Sequence, residues 1–210
     1  GVAVGFQSGK IKQGTNSIAI GYQAGQSTQG SDSIAIGTQS GILTQGPNTV
    51  AIGNLAGYQG QYAYGIAIGY LSGYNNQKYY GVAIGGFAGH SNQGWYGTAI
   101  GSTAGGYNQG TYGVAIGNEA GKLTQGDSSV AIGNLTGQVN QGDNAVAIGY
   151  QAGQSYQGIY SVGIGVRAGQ INQGIGSVAM GYQAGYNVQG YYSVALGYNA
   201  CLLYTSDAAD

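Results

Sequence analysis

The sequence predicts an all-β fold, a parallel β-solenoid or β-roll, and three observations lead to this prediction. A five-residue phrase, Ser17 to Gly21 in its second copy, returns every 16 residues without insertion or deletion. Glycine supplies 45 of the 210 residues, well above its usual share of about 7%. The phrase alternates β-branched and small residues, as a strand does. A fixed period places every copy in the same environment, which stacked coils provide.

Each 16-residue unit is predicted to run strand, turn, strand, turn. We number its positions 1 to 16, so that Ser17 holds position 1 of the second copy. Ala24-Gly25 and Gln29-Gly30 mark the two turns, since glycine adopts positive φ at no steric cost. Helix is disfavoured because each interior glycine costs about 1 kcal/mol relative to alanine. Twelve full coils and a partial one, about 13 in all, make a rod about 60 Å long.

The first strand of the unit has two different faces. Valine or isoleucine at positions 2 and 4, such as Ile18 and Ile20, points to one side, and Ser17 and Ala19 point to the other. Position 3 is alanine in every copy except Gly163, and this constancy indicates that both faces are packed. We expect the bulky face to fill the coil and the flat alanine and glycine face to meet another chain in an oligomer.

Position 13 is glutamine in every copy that reaches it. The column predicts a structural ladder of amides, inward or lining a turn, in which each side chain bonds to the next coil as in other stacked β-structures. A row of ligand-binding side chains is the alternative. The column consists of Gln13, Gln29, Gln45, Gln61, Gln77, Gln93, Gln109, Gln125, Gln141, Gln157, Gln173 and Gln189.

Aromatic residues suggest a recognition surface. One position, 16, is tyrosine in four consecutive copies, so these rings are predicted to stack in a row, with two further aromatic residues beside them. Aromatic rows with little charge suit the binding of glycans or protein surfaces. The alternative is that stacked rings only stabilise the coils. The six residues of this candidate recognition row are Tyr64, Tyr80, Tyr96, Tyr112, Tyr79 and Trp95.

Charge and titratable groups argue against several classes of function. The net charge is −1 and charged residues make up 5% of the chain, which gives no electrostatic footprint for nucleic acid or an anionic membrane. No apolar run reaches the roughly 20 residues of a membrane span. Titratable groups are scattered along the rod, so neither an enzyme active site nor a cofactor is predicted. With His90 as the single imidazole, and with Glu119, Asp127 and Asp143 interpreted as solvated carboxylates, no metal site is predicted.

The Ser-Val-Ala-Ile-Gly phrase, found at Ser129 to Gly133, resembles the head repeats of the YadA-like trimeric autotransporter adhesins. The resemblance covers residues 1–200 in thirteen in-register copies. It implies a left-handed parallel β-roll, three chains packed together, and a head that binds matrix proteins or host cells from the cell surface. The repeat here is longer than the family's usual head repeat, so its turns differ.

The register ends at Cys201, where it predicts a glycine. Residues 201–210 look like the translation of a transposase adapter used in sequencing libraries, as in a metagenomic read that ran into its adapter. A capping tail is the alternative. The predicted division is therefore a β-solenoid domain, 1–200, taken as a fragment because it begins at position 1 of a repeat, and an adapter-derived tail, 201–210.

These observations predict a structural or adhesive rod of a surface fibre, extracellular and outside any enzyme class. Its partners are predicted to be copies of itself, with a trimer favoured, and an extracellular protein or glycan bound by its outer face. A segment of a phage or virus fibre is an alternative with the same physics. An ice-binding solenoid is the alternative of another class, although no Thr-x-Thr column runs the length of the chain.

Overall fold

A computed structural model describes residues 1–201 and confirms the all-β parallel solenoid. Within these residues each coil adds one strand to each of two parallel sheets, which reach 13 and 12 strands, and no helix forms. No segment of this part of the chain is therefore a helix long and apolar enough to cross a membrane. Cys201 is exposed, and the rest of the predicted adapter-derived tail lies outside the described residues.

The strands are short and return at the same positions of every coil. The first sheet consists of Val2–Val4, Ile18–Ile20, Ile34–Ile36, Val50–Ile52, Ile66–Ile68, Val82–Ile84, Thr98–Ile100, Val114–Ile116, Val130–Ile132, Val146–Ile148, Val162–Ile164, Val178–Met180 and Val194–Leu196. The second sheet consists of Lys12–Gln13, Thr28–Gln29, Thr44–Gln45, Gln59–Gln61, Asn75–Gln77, Ser91–Gln93, Tyr107–Gln109, Leu123–Gln125, Val139–Gln141, Ser155–Gln157, Ile171–Gln173 and Asn187–Gln189.

The repeat period sets the register of both sheets. Ile18 pairs with Ile34, and Gln29 with Gln45, each 16 residues on. The amide of Ile18 donates to the carbonyl of Ser33 at 2.9 Å, and the same bond recurs from coil to coil. Every inner coil thus bonds to a neighbour on each side, which satisfies backbone groups that a lone coil would leave unpaired.

The expectation that the valine and isoleucine face fills the coil is wrong, because the two faces are reversed. Ala19 is 0% exposed, whereas Ile20 is 37% exposed and Ile18 is half-buried. Alanines of successive coils instead form the core, and one cluster of them runs from Ala83 to Ala131. The alanine face therefore cannot meet another chain, and the bulky apolar side chains form the outer surface of the first sheet.

The narrowness of the coil explains this reversal. The Gln29 side chain lies inside the coil and is 2% exposed. A Cβ on Gly25, at position 9, would lie 3.0 Å from Gln29 Oε1 and 3.4 Å from the methyl group of Ala19. Gly25 also has a φ of 54°, in the left-handed region that favours glycine. Beside position 3 the interior therefore holds one amide and a few methyl groups, with no room for a valine or isoleucine side chain there.

The glycine column at position 5 has a different cause. Gly21 has a φ of 130°, and a Cβ there would lie 2.5 Å from the carbonyl oxygen of Gly37 in the next coil. Side chains are excluded because the backbones of successive coils approach too closely at this corner.

The second sheet changes its backbone at position 12 between two coils. Thr28 pairs with Thr44 through position 12, but from Gln59 onward the coils pair at positions 11 and 13 only. Gly60 is the first position-12 residue with positive φ, at 71°, and Asn76 follows at 55°. Asparagine enters this left-handed region more readily than β-branched threonine. The junction between the two coil types therefore lies between residues 44 and 60.

A pair of substitutions tests the reversed faces. We expect Ala83→Val to destabilise the protein by about 1–3 kcal/mol, because the interior cannot accept two more methyl groups. Val82→Thr should cost less than about 1 kcal/mol, since Val82 lies on the outer face and Thr98 holds the same position in the next coil. Thermal unfolding followed by circular dichroism measures both changes in stability. A larger loss of stability for Val82→Thr than for Ala83→Val would mean that valine, and not alanine, faces the interior.

Candidate recognition surface

The four tyrosines at position 16 stack along the rod. The ring centroids of Tyr64 and Tyr80 lie 4.8 Å apart, those of Tyr80 and Tyr96 4.9 Å, and those of Tyr96 and Tyr112 5.0 Å. The rings are parallel to within 6°. Because inner rings face one another, this four-tyrosine stack presents mainly ring edges and hydroxyl groups to the solvent.

The stack occupies a strained backbone position. Tyr96 has a φ of 56°, and the other three tyrosines also have positive φ. Elsewhere in the rod position 16 is often Asn or Asp, as at Asn16 and Asp32, where Asn16 Nδ2 donates to Asp32 Oδ1 at 3.1 Å. Those residues tolerate the left-handed region better than tyrosine does. Tyrosine is therefore not the residue that the turn itself favours.

Tyr79 and Trp95 behave differently from the stack. Their ring centroids lie 5.4 Å apart at an angle of 59°, and Tyr79 in turn lies 5.2 Å from Tyr62 at 54°. Tilted rings leave parts of their faces uncovered, and Trp95 is 50% exposed. Tyr62, Tyr79 and Trp95 form what we call the aromatic platform. The six candidate residues thus divide into two structures with different exposed chemistry.

Sequence reasoning missed Tyr62, although a signal was present. Position 14 is glycine in most coils, because a Cβ there would meet the next coil, as at Gly94, where Gly110 C would lie 2.5 Å away. Tyr62 and Lys78 break this column in consecutive coils. The Lys78 Nζ lies 4.7 Å from the centroid of the Tyr62 ring, a cation–π contact.

A second aromatic row, also missed, runs along the other edge of the same coils. Tyr58 and Tyr74 stack at 4.8 Å, and Tyr74 stacks on His90 at 5.1 Å. His90 Nδ1 lies 2.9 Å from Ser91 Oγ. Burial against its neighbours lowers the pKa of His90 below its usual value. At neutral pH the imidazole is therefore uncharged and packs as an aromatic ring.

The glutamine column lies inside the coils and binds backbone carbonyls. Gln29 Nε2 donates to the carbonyl of Ile18, in its own coil, at 2.7 Å, and lies 3.3 Å from that of Ser33, in the next. The bond to position 2 recurs in each coil from Gln13 to Gln189. Direct bonds between these side chains occur at Gln141–Gln157 and Gln157–Gln173. The bonds are therefore mainly from side chain to backbone rather than from amide to amide.

The acidic residues singled out in the sequence do not converge. The Asp143 carboxylate accepts a bond from the amide of Asp127 at 2.9 Å, which caps the turn rather than forming a catalytic pair. Glu119 lies on another turn, where the 3.0 Å bond from Lys122 lowers its pKa. Residues 1–201 contain no group of three or more His, Cys, Asp or Glu placed to hold a metal ion.

Comparison with known families gives one result. The model of the YadA head domain repeat matches the chain in two copies, which cover residues 13–40, 141–152 and 173–200. No curated protein matches the chain. The matched segments and those between them share one period and one register. The matched segments are therefore similar to YadA head repeats, as the Ser-Val-Ala-Ile-Gly phrase predicted, and the 16-residue solenoid between them is consistent with such repeats.

Substitutions to asparagine separate the strain of the stack from its packing. Tyr96→Asn and Tyr112→Asn should relieve similar backbone strain, but the first loses two ring contacts and the second loses one. Each contact contributes about 0.5–1.5 kcal/mol, so we expect Tyr112→Asn to be the more stable variant by about that amount. Denaturant unfolding checks this order. The reverse order would mean that stacking does not hold the row.

Two glutamines of one coil test the inner column, which we propose holds the coils together. Gln61→Leu keeps the size of a side chain whose Nε2 bonds to Val50 O at 2.9 Å and Gly65 O at 3.1 Å. It removes both bonds, at about 0.5–1.5 kcal/mol each, although the Gly65 carbonyl keeps the bond from the Val50 amide at 3.0 Å. Gln59→Leu, two residues away and exposed, is the control and should cost under about 0.5 kcal/mol. Equal losses in thermal stability would contradict the proposed role.

Proposed function

We propose that this chain is the structural and adhesive rod of an extracellular surface fibre, assembled as a homotrimer through the outer face of its first sheet. The observation that carries the proposal is the reversed strand, which places two side chains outward in every coil, valine or isoleucine at all these positions except Thr98, Met180 and Leu196. A continuous apolar stripe of this kind marks an interaction surface.

The trimeric state is supported by the YadA-like head repeats, a family whose members are trimeric cell-surface adhesins. A closed assembly of three rods buries one stripe from each. The face that associates is the valine and isoleucine face, and the alanine face that the sequence suggested for this role is the interior. The function is display rather than catalysis, because the repeat fixes backbone geometry and leaves the turn positions free to vary.

Binding takes place on the turns, where side chains differ from coil to coil. The middle coils carry the four-tyrosine stack and the aromatic platform on one edge. A rigid rod holds such side chains in place, so little conformational entropy is lost when a partner binds. The outward aromatic side chains are the part of the rod that contacts a host or matrix molecule.

Light scattering across a dilution series tests the assembly. We expect residues 1–200 to remain trimeric. The double variant Ile84→Lys with Ile116→Lys should dissociate at a protein concentration about a hundredfold higher than the wild-type chain does. Each isoleucine contributes about 1.5–3 kcal/mol when fully buried, and lysine at the same place adds charge to an apolar contact.

Ser102→Lys is the matched control, since it adds a charge at an exposed turn position. It should leave the trimer intact, and circular dichroism should show that all variants keep their β-structure. A wild-type chain that is monomeric at every concentration would contradict the trimer.

A further inference from the structure

A groove of about 520 Å³ opens beside the aromatic platform. Its walls include Tyr62 and Tyr79, and its polar lining includes Thr44, Gln59 and Asn76. This volume lies within the range of about 300–1,000 Å³ usual for small-molecule sites. The groove is located at the junction where the second sheet changes its backbone at position 12.

Gly60 creates the groove by interrupting a column of side chains. The next three coils carry asparagine at position 12, and the preceding coil carries Thr44. Gly60 has no side chain between Thr44 and Asn76, and the bulk of its coil appears two residues on, at Tyr62. Compared with neighbouring coils, this coil therefore has a smaller residue at position 12 and a larger one at position 14, which opens a gap and places an aromatic ring beside it.

The gap leaves an acceptor at the end of an amide ladder. Asn76 Nδ2 donates to Asn92 Oδ1 at 3.3 Å, and Asn92 Nδ2 donates to Asn108 Oδ1 at 3.0 Å. The next donor in this series would come from residue 60, where a Cβ would lie 3.2 Å from Asn76 Oδ1. Because residue 60 is glycine, Asn76 Oδ1 accepts no such bond and is free for a ligand hydroxyl.

The groove chemistry fits a neutral sugar chain. None of its lining residues is charged, and Lys78 Nζ packs over the Tyr62 ring outside that lining, whereas an anionic ligand would call for lysine or arginine in the lining itself. Aromatic faces pack against the apolar face of a ring, and amide groups can both donate to and accept from hydroxyls. Tyr79 lies between the groove and Trp95, so the platform extends the contact by a further coil.

We propose that this groove and the aromatic platform bind a neutral glycan, with Asn76 Oδ1 accepting a sugar hydroxyl and Tyr62 and Tyr79 packing against a sugar ring. This glycan site presupposes the proposed adhesive function and specifies the class of ligand that the rod binds. It also places recognition on Tyr62, Tyr79 and Trp95 rather than on the four-tyrosine stack, whose inner ring faces are covered by one another.

Two measurements on the trimeric wild-type chain detect binding. In native gels containing galactomannan, xyloglucan or dextran, we expect at least one of these neutral polysaccharides to slow migration, whereas hyaluronate and heparin should not. Trp95 is the single tryptophan of the sequence, so its fluorescence reports on the platform directly. Oligosaccharides of the polysaccharide that slows migration should shift its emission in a saturable way.

Gly60→Asn tests the groove without threatening the fold. Asparagine is the residue of the next three coils at this position, and it tolerates positive φ. The new side chain should extend the ladder to Asn76 and fill the gap, so we expect unchanged or higher thermal stability with glycan binding at least about tenfold weaker. Thr124→Asn, at position 12 of a distant coil, is the matched control and should bind as the wild type does. Tyr79→Ala should also weaken binding about tenfold.

The outcomes separate this inference from the function on which it rests. If the protein is trimeric but none of the three neutral polysaccharides slows its migration, the glycan site is wrong. If a triple-helical Gly-Pro-Pro peptide retains that trimer instead, the adhesive function remains supported, with a protein as the ligand. Glycan binding that Gly60→Asn leaves unchanged also overturns the site. Glycan binding by a monomer would support the site and contradict the trimer.

Discussion

The buried glutamine at position 13 is the constraint on which the rest of the coil depends. Its Nε2 bonds to a carbonyl of its own coil, as Gln93 does to Val82 at 2.8 Å, and lies 2.9 Å from the carbonyl of Gly97 in the next coil. The amide therefore ties two coils together in a core whose buried apolar side chains are almost all alanines. Its bulk limits its neighbours to methyl groups or hydrogen, which accounts for alanine at position 3 and glycine at position 9.

A polar, narrow interior has a direct consequence for the exterior. Valine and isoleucine favour strands because they fit a pleated, half-buried surface, and here the interior has no space for them. They point outward, where neighbouring coils cover them in part, as the half-buried Val82 and Ile84 show. The rod thus gains stability from burying this face only when another surface covers it. The buried glutamine therefore links the architecture of each coil to the assembly of the rods.

The period was sufficient to predict the two parallel sheets and their register, because both follow from spacing alone, and the Ser-Val-Ala-Ile-Gly phrase indicated the family resemblance. Which strand face lies inside could not be predicted that way. Alternation shows that Ile18 and Ala19 point to opposite sides, but the inner side depends on the width of the coil, which the inward Gln29 sets. The platform was found only in part, since Tyr62 stands in a glycine column and belongs to no row of its own.

Departures from the repeat are the more informative positions in such a rod. Residues that hold the backbone must recur in every coil, as the inner glutamines do, so their constancy indicates structure. Gly60 and Tyr62 depart from their columns in one coil and Lys78 departs in the next. The three meet at one place, since Gly60 and Tyr62 line the groove and Lys78 packs over the Tyr62 ring. Departures without a role in stacking would be free to fall anywhere along the rod. Their convergence on an opening with a free acceptor, in a chain whose other coils repeat so regularly, is the physical basis of the proposed glycan site.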